Sequence, residues 1–203
     1  MNELHAPFGN YYDKYGSSNP LARRMMAAFE RDVDTMLLRT HPDSILDVGC
    51  GEGVVTERWA TKLATSRVVG LDLEDPDLLA QWAKRVRPNL TFLSGNAYDL
   101  PFADGEFDLV SGVEMLEHVP DPRLVLAEMR RAARSHLLVS VPREPIWRAL
   151  NVARGSYWRA WGNTPGHVNH WSRDEFVAMC GEFGSVEAVA TPLPWTAVLV
   201  RLG

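Results

Sequence analysis

Between residues 45 and 53 the chain reads Ile45-Leu46-Asp47-Val48-Gly49-Cys50-Gly51-Glu52-Gly53, an apolar run carrying one acid and closing on three glycines at alternate positions. A helical pattern follows at once, so the stretch is expected to be a strand, a tight turn and a helix start. Glycine accepts positive φ and lets a ligand lie against the backbone. The chemistry of such a turn is nucleotide binding; the plainer alternative is a βα turn that holds nothing. The dinucleotide fingerprint G-x-G-x-x-G would need glycine at 54, where the chain has Val54. A second apolar run, Val68-Val69-Gly70-Leu71, ends in Asp72. Two parallel strands around one helix bring the second strand's terminal acid beside the first turn, where its oxygens can accept from both hydroxyls of a ribose. Alone, such an acid would be a solvated loop residue or a helix cap; the glycines at this separation favour the ribose.

Three histidines have the chemistry for proton transfer. His118 closes Glu114-Met115-Leu116-Glu117-His118, and His167 and His170 lie in the turn-rich loop Gly162 to His170. An imidazole titrates near neutral pH and can take a proton from a hydroxyl. The competing readings are a backbone hydrogen bond at a helix end for His118 and packing in a Trp-rich cap for the other two. His167 and His170 are three apart with no further ligands at suitable spacing, so no metal site is expected.

Taken in order, these motifs resemble a class I S-adenosylmethionine-dependent methyltransferase of the small-molecule and quinone-biosynthesis branch, methyltransferase type 11, over about residues 43 to 142. Asp47, Gly49, Gly51 and Gly53 match the family's loop around the methionine half of the cofactor, and Asp72 with Leu73 its ribose site. Gly95-Asn96-Ala97-Tyr98-Asp99-Leu100-Pro101-Phe102 resembles the segment that holds the adenine, through Asn96 and Ala97. Phe107-Asp108-Leu109-Val110 running on to Val113 and Glu114 resembles the fourth strand and the turn beside the reacting sulfur. One position departs from the pattern: Asn96 stands where the family usually has an acid, and an amide carbonyl still accepts, without the charge. The resemblance implies S-adenosylmethionine as cofactor. It also implies an α/β Rossmann-like, doubly wound and mostly parallel sheet of seven strands, with helices on both faces and the last strand antiparallel.

The elements that must position these residues are legible as patterns. Asn19 and Pro20 open a helix on which Leu21, Met25, Phe29, Val33 and Leu37 recur every fourth residue. In the resembled family a leading helix lies over the cofactor mouth, which would bring Tyr11, Tyr15 or Arg23 near the ligand; the alternative is tyrosines at a packed rim. From 54 to 142 helix and strand alternate. Val55, Trp59 and Leu63 mark one helix face, Leu79, Trp82, Ala83 and Val86 a second, and Val125, Leu126 and Met129 a third, with strands at Leu90 to Leu93, Phe107 to Ser111 and His136 to Val141. This order gives a parallel sheet with ligands beyond the strands' C-terminal ends, where Asp47, Asp72, Asn96 and Glu114 fall. Ser172 and Glu175 form a capping box for a helix burying Phe176, Val177, Cys180 and Phe183, and the chain closes with a strand pair, Ser185 to Thr191 and Thr196 to Arg201.

Residues 147 to 171 hold four of the seven tryptophans. An insertion here would sit above the methyl donor as the acceptor pocket. Eight arginines fall between 123 and 159 against Glu128 and Glu144, in a chain of net charge −5. Arg130, Arg131 and Arg134 read as the solvated side of a helix; Arg143, Arg148, Arg154 and Arg159 are candidates for an acceptor's phosphate or carboxylate, or for anionic lipid heads. The acceptor set is therefore Tyr11, Tyr15, Arg143, Arg148, Trp158 and Asn163.

With 203 residues, 46% hydrophobic and 23% charged, the chain is expected to be one domain: a leading segment to 42, a cofactor core from 43 to 142, a cap from 143 to 171 and a closing helix and strand pair. The first residues lack a signal-peptide pattern and no run is long enough to span a membrane, which reads as cytoplasmic. Two cysteines without C-x-x-C spacing suggest buried thiols. Negative net charge without an added binding domain disfavours nucleic acid. The expected activity is methyl transfer from S-adenosylmethionine to a small-molecule, sugar or lipid-like acceptor, at oxygen. The rivals are a non-catalytic binder or regulator and, opposed by the glycine spacing, an NAD-type oxidoreductase.

Overall fold

The computed structural model describes residues 19–153, 155, 157 and 160–203. Tyr11, Tyr15, Arg154, Trp158 and Arg159 lie outside them. Seven strands, β1 (Ser44–Val48), β2 (Arg67–Asp72), β3 (Leu90–Ser94), β4 (Phe107–Val113), β5 (Ala133–Pro142), β6 (Ser185–Ala190) and β7 (Trp195–Arg201), make one sheet in the order β3-β2-β1-β4-β5-β7-β6. The strands from β3 to β5 are parallel; β7 inserts antiparallel between β5 and β6. Strand order reverses at β1 and β4, which opens a crevice beyond their C-terminal ends.

Successive side chains of a strand point to opposite faces, so β1 sends Leu46 and Val48 into one core and Ile45 into another. The first core includes Val125, Leu126 and Met129 of α4 (Pro122–Ala132) with Phe176, Met179 and Cys180 of α6 (Arg173–Gly181). The second packs Phe29, Val33, Met36 and Leu37 of α1 (Pro20–Thr40) and Val55, Trp59 and Ala60 of α2 (Val54–Lys62). Three helices open on an Asx cap followed by proline. Asn19, Asp75 and Asp121 each accept from one or two first-turn N–H groups, ahead of Pro20, Pro76 and Pro122, each cap contributing about 1 kcal/mol. The Ser172–Glu175 capping box is present.

Three expected helix faces are corrected. α3 (Pro76–Trp82) buries only Trp82; Leu79 and Ala83 are exposed, and Val86, 82% exposed, falls beyond the helix. The helix lies by the edge strand β3, where it meets protein chiefly through Trp82 stacked on Phe92. On α1, Leu21 is exposed and Met25 half-buried, because burial begins only at Phe29. On α6, Met179 completes the buried set, and Val177 and Phe183 sit at its margin. Among the described residues no helix is long and apolar enough to cross a membrane.

Candidate active site

The glycine loop is tied to the neighbouring strand before any ligand is considered. Gly49 and Cys50 N–H both donate to the Leu71 carbonyl, at 2.8 and 3.1 Å. Gly49 has φ 70°, and a Cβ there would collide with the Met115 side chain, so the loop and the turn after β4 approach as closely as backbone allows. Gly51 has φ 53°, and nothing lies within 4 Å of where its Cβ would be: the loop faces open space at that point. From behind, Trp82 of α3 donates Nε1–H to the Gly51 carbonyl at 2.8 Å and Arg85 donates to the Glu52 carbonyl at 2.6 Å.

Two carboxylates flank the loop with different jobs. Asp72, at the end of β2, accepts from Gly51 N–H and Leu73 N–H, both at 2.7 Å. Burial raises its pKa against these two bonds, which lower it, and the Asp75 charge raises it further. Each carboxylate oxygen has a second acceptor direction, so the set still suits a pair of ligand hydroxyls. Asp72→Ala is expected to weaken donor binding by about 1–3 kcal/mol through lost charge-assisted bonds, read by calorimetry with the donor's demethylated product.

Asp47 is 2% exposed and accepts from Thr56 Oγ1 of α2 and Ser111 Oγ of β4, at 2.7 and 2.8 Å. It braces the loop from beneath. Burial lifts its pKa from 3.8 to about 6, the two hydroxyl bonds lower it, and Asp72 adds to the rise. A carboxyl that holds its proton more tightly when folded lowers stability as pH climbs from about 4 to 6 and no further above that. Asp47→Asn removes this term. At about 1.36 kcal/mol per pKa unit the term is at most about 3 kcal/mol, offset in part by the weaker hydrogen bonds of an amide. Melting curves should show the variant gaining on the parent most above pH 6, with the gap closing toward pH 4; a gap independent of pH would contradict the assignment.

The turn after β4 carries the second half of the site. Glu114 has φ 58°; its N–H points at Ser140 of β5, 3.1 Å from the carbonyl and 3.3 Å from Oγ, and its Oε2 accepts from Trp195 Nε1 at 2.6 Å. Met115 then packs on Gly49, and a 3₁₀ turn, Leu116–His118, buries Leu116 and Glu117. The cap is fastened to this turn. The Glu117 carbonyl accepts from Val168 and Asn169 N–H, the Asn169 amide donates to the carbonyls of Leu116 and Val119, and His118 Nδ1 lies 3.0 Å from the Gly166 carbonyl. His167, 7% exposed, is thereby set edge-on to His118 with ring centroids 4.9 Å apart, and its other side stacks on Trp147.

The cap is built on α5 (Ile146–Ala153). Trp147 Nε1 donates to Thr164 Oγ1, Asn151 to the Gly162 carbonyl and Arg148 to the Trp161 carbonyl. Asn163 and His170 are joined at 2.7 Å, and burial, then the Arg148 charge, lower the His170 pKa. Arg143, at the end of β5, has its Nε buried with no hydrogen-bond partner among the described residues. Arg123 and Arg134 are paired with Glu182 and Asp108, and Arg131 with Glu128 and Asp104.

The structure thus brings together the glycines, Asp72, Leu73, Glu114, His118 and His167. Val113 ends β4 opposite Ser140. Asn96 is exposed beyond β3, its Oδ1 accepting from Tyr98 N–H, with Ala97 packed on the core. Arg23 is exposed on α1.

Against known proteins, the family model described as a methyltransferase domain matches residues 46–138. A ubiquinone biosynthesis O-methyltransferase of Methylococcus capsulatus is 33% identical over 158 residues, 68% of this chain and 65% of that one. A demethylmenaquinone methyltransferase of Shouchella clausii is 30% identical over 162 residues, 72% of this chain and 67% of that one. The chain belongs to the S-adenosylmethionine-dependent methyltransferases. The chain spans less than two thirds of the length of the Methylococcus capsulatus protein and of several other curated relatives, 53% and 36% in two of them. In fold it is similar to the magnesium protoporphyrin IX methyltransferase of Synechocystis PCC 6803, solved with bound S-adenosylhomocysteine, at a TM-score of 0.65 and 16% identity over 93% of this chain and 90% of that one.

The residues present fit the family's cofactor. Open space stands over Gly51, three positive-φ glycines shape the loop, and Asp72 offers acceptors at its rim. Sequence reasoning missed Trp82, Ser140, Asn169 and Trp195. Trp82 was read as core alone; its burial by an apolar ring hides an indole N–H that holds the loop, the polar handle typical of buried tryptophan.

Proposed function

We propose that this methyltransferase methylates a hydroxyl oxygen on a small, quinone-like or otherwise lipid-like ring. Bound S-adenosylmethionine supplies an electrophilic methyl on a sulfonium sulfur. The chain's own work is to hold acceptor, methyl and sulfur in line and to deal with the hydroxyl proton. Asp72 and the glycine loop hold the donor's nucleoside. Met115, wedged on Gly49, ties that loop to the turn bearing Glu117 and His118, and the cap closes over the turn through Asn169 and His167.

The observation that carries the reading is the meeting of Glu117, His118 and His167 at one point, their ligand-type atoms within 4.8 Å of one another, on a turn packed against the cofactor loop. A hydroxyl acceptor sheds its proton as the bond to the methyl carbon forms, and groups of this kind can take that proton or stabilise the oxygen left behind. The names of the two relatives, one acting on oxygen in quinone biosynthesis, support the same class. The buried Nε of Arg143 favours an acceptor bearing a carboxylate or another oxygen anion.

The test is a panel of catechols, hydroxylated quinols, their carboxylated forms, amines and carbon-acceptor naphthoquinols, with the methyl position read by NMR. Methyl on oxygen, fastest with a carboxylated ring, is the expected result. Methyl on carbon or nitrogen alone would sink the oxygen assignment.

A further inference from the structure

We infer that Glu117, His118 and His167 form a binding site for one divalent transition-metal ion of the zinc or manganese type, and that this ion receives the acceptor's oxygen. Its role in catalysis rests on the oxygen reading above; its occupancy does not.

Two imidazoles and one carboxylate are a ligand set that divalent zinc and its neighbours accept, and three protein ligands leave coordination positions open for a substrate oxygen. Such a set needs its donor atoms close together. Here one ligand-type atom from each residue falls within 4.8 Å of the other two, and His118 Nε2 lies 4.0 Å from Glu117 Oε1. Ligands about 2.0–2.1 Å from a tetrahedral ion stand about 3.3 Å apart, so the set has to close by up to about 1.5 Å, within reach of side-chain rotation.

A second observation concerns the tautomer. His118 Nδ1 is 3.0 Å from the Gly166 carbonyl, and a carbonyl can only accept. The proton therefore sits on Nδ1, and in the neutral ring Nε2 presents a lone pair toward the Glu117 carboxylate. Metal-bound histidines characteristically donate their other ring N–H to a backbone carbonyl, which fixes the ring and raises the basicity of the ligating nitrogen. The cap supplies the remaining rigidity. Asn169 holds both carbonyls flanking the Glu117–His118 pair, and Val168 and Asn169 N–H hold the carbonyl of Glu117 itself. His167 is thus delivered to the turn by neighbours on its own loop, before an ion arrives. His170, by contrast, is turned to Asn163 and takes no part.

An ion at this point would bind the acceptor hydroxyl and lower its pKa, as it does for bound water. The oxygen then forms its bond to the methyl carbon as the carbon–sulfur bond breaks, the sulfur keeps that electron pair as a thioether, and the proton passes to solvent.

The protein is stripped with EDTA, dialysed, and titrated with zinc and then manganese chloride alone by calorimetry, with cobalt absorption as a geometric readout. One ion per chain is expected. Glu117→Gln, His118→Ala and His167→Ala, each verified as folded by circular dichroism, should weaken it about 10-fold or more, and His170→Ala should bind as the parent does. No binding by the folded parent overturns the inference, and so does binding indifferent to the three substitutions or equally sensitive to His170→Ala. The acceptor panel separates the two readings. Oxygen methylation that proceeds undiminished in EDTA by a protein without metal affinity ends this inference and leaves the function; a metal site with no oxygen product does the reverse.

Discussion

Gly49→Ala is expected to lower the melting temperature by about 4–20 °C and to remove measurable donor binding. Two costs add. An L-residue at φ 70° is strained by about 1–2 kcal/mol, and the new methyl overlaps the Met115 side chain, an overpacking of about 1–3 kcal/mol. A domain of this size loses about 2–4 °C per kcal/mol. If Met115 yields instead of the loop, the displacement passes to the 3₁₀ turn that carries Glu117 and His118, so the damage reaches the chemistry either way. Gly51→Ala is the informative companion. Its methyl meets nothing within 4 Å, so it should melt closer to the parent while still losing the donor, because it fills the space over the loop. Melting curves and calorimetry with S-adenosylhomocysteine separate the outcomes; two variants equal in stability would show that the contact with Met115 carries no strain.

His167→Ala is expected to lower turnover by about 10²–10⁴-fold, the range for losing help in removing a proton in the transition state, whether the ring takes it or helps hold the ion that acidifies the hydroxyl, with donor affinity changed by no more than about 2-fold. The ring packs against His118 and Trp147, on the acceptor side of the proposed site. An interaction made only in the transition state lowers kcat and kcat/KM together. His118→Ala should cost as much, and the double variant little more than either, since residues that act as a unit are not additive. His170→Ala should cost about tenfold, the worth of one hydrogen bond, here to Asn163. A His167 variant that lost donor affinity and kept its turnover would move this residue from the acceptor side to the cofactor.

The local geometry of the proposed cofactor half was legible in the chain because its parts are near one another in it. A strand, a turn and a helix set the position of Gly49 and Gly51, and one βα unit sets the distance to Asp72; the hydrogen bonds from Gly51 to Asp72 and from Gly49 to Leu71 span that single unit. The proline-led caps were equally local. What failed was the burial of amphipathic stripes: Val86 and Leu21 carry the right spacing but lie where no second layer of the described residues covers them. Spacing states which residues share a face, whereas burial also requires a neighbour.

The proposed acceptor half shows the same division more sharply. The chain by itself determined a nucleotide turn, a strand-end acid, an alternating α/β order and three histidines of suitable chemistry. It paired His167 with His170 because they are three apart, and on that pairing expected no metal. Tertiary structure decided otherwise about which groups meet: it set His167 against His118 and Glu117, turned His170 to Asn163, and brought Trp195 of the last strand to Glu114. Apart from His170 and Asn163, which are seven residues apart, those partners are separated by dozens of residues, and their meeting depends on the path of the cap and on β7 entering antiparallel beside β5. Local periodicity carries no information about such a path; the hydrogen bonds between Asn169 and the turn after β4 do.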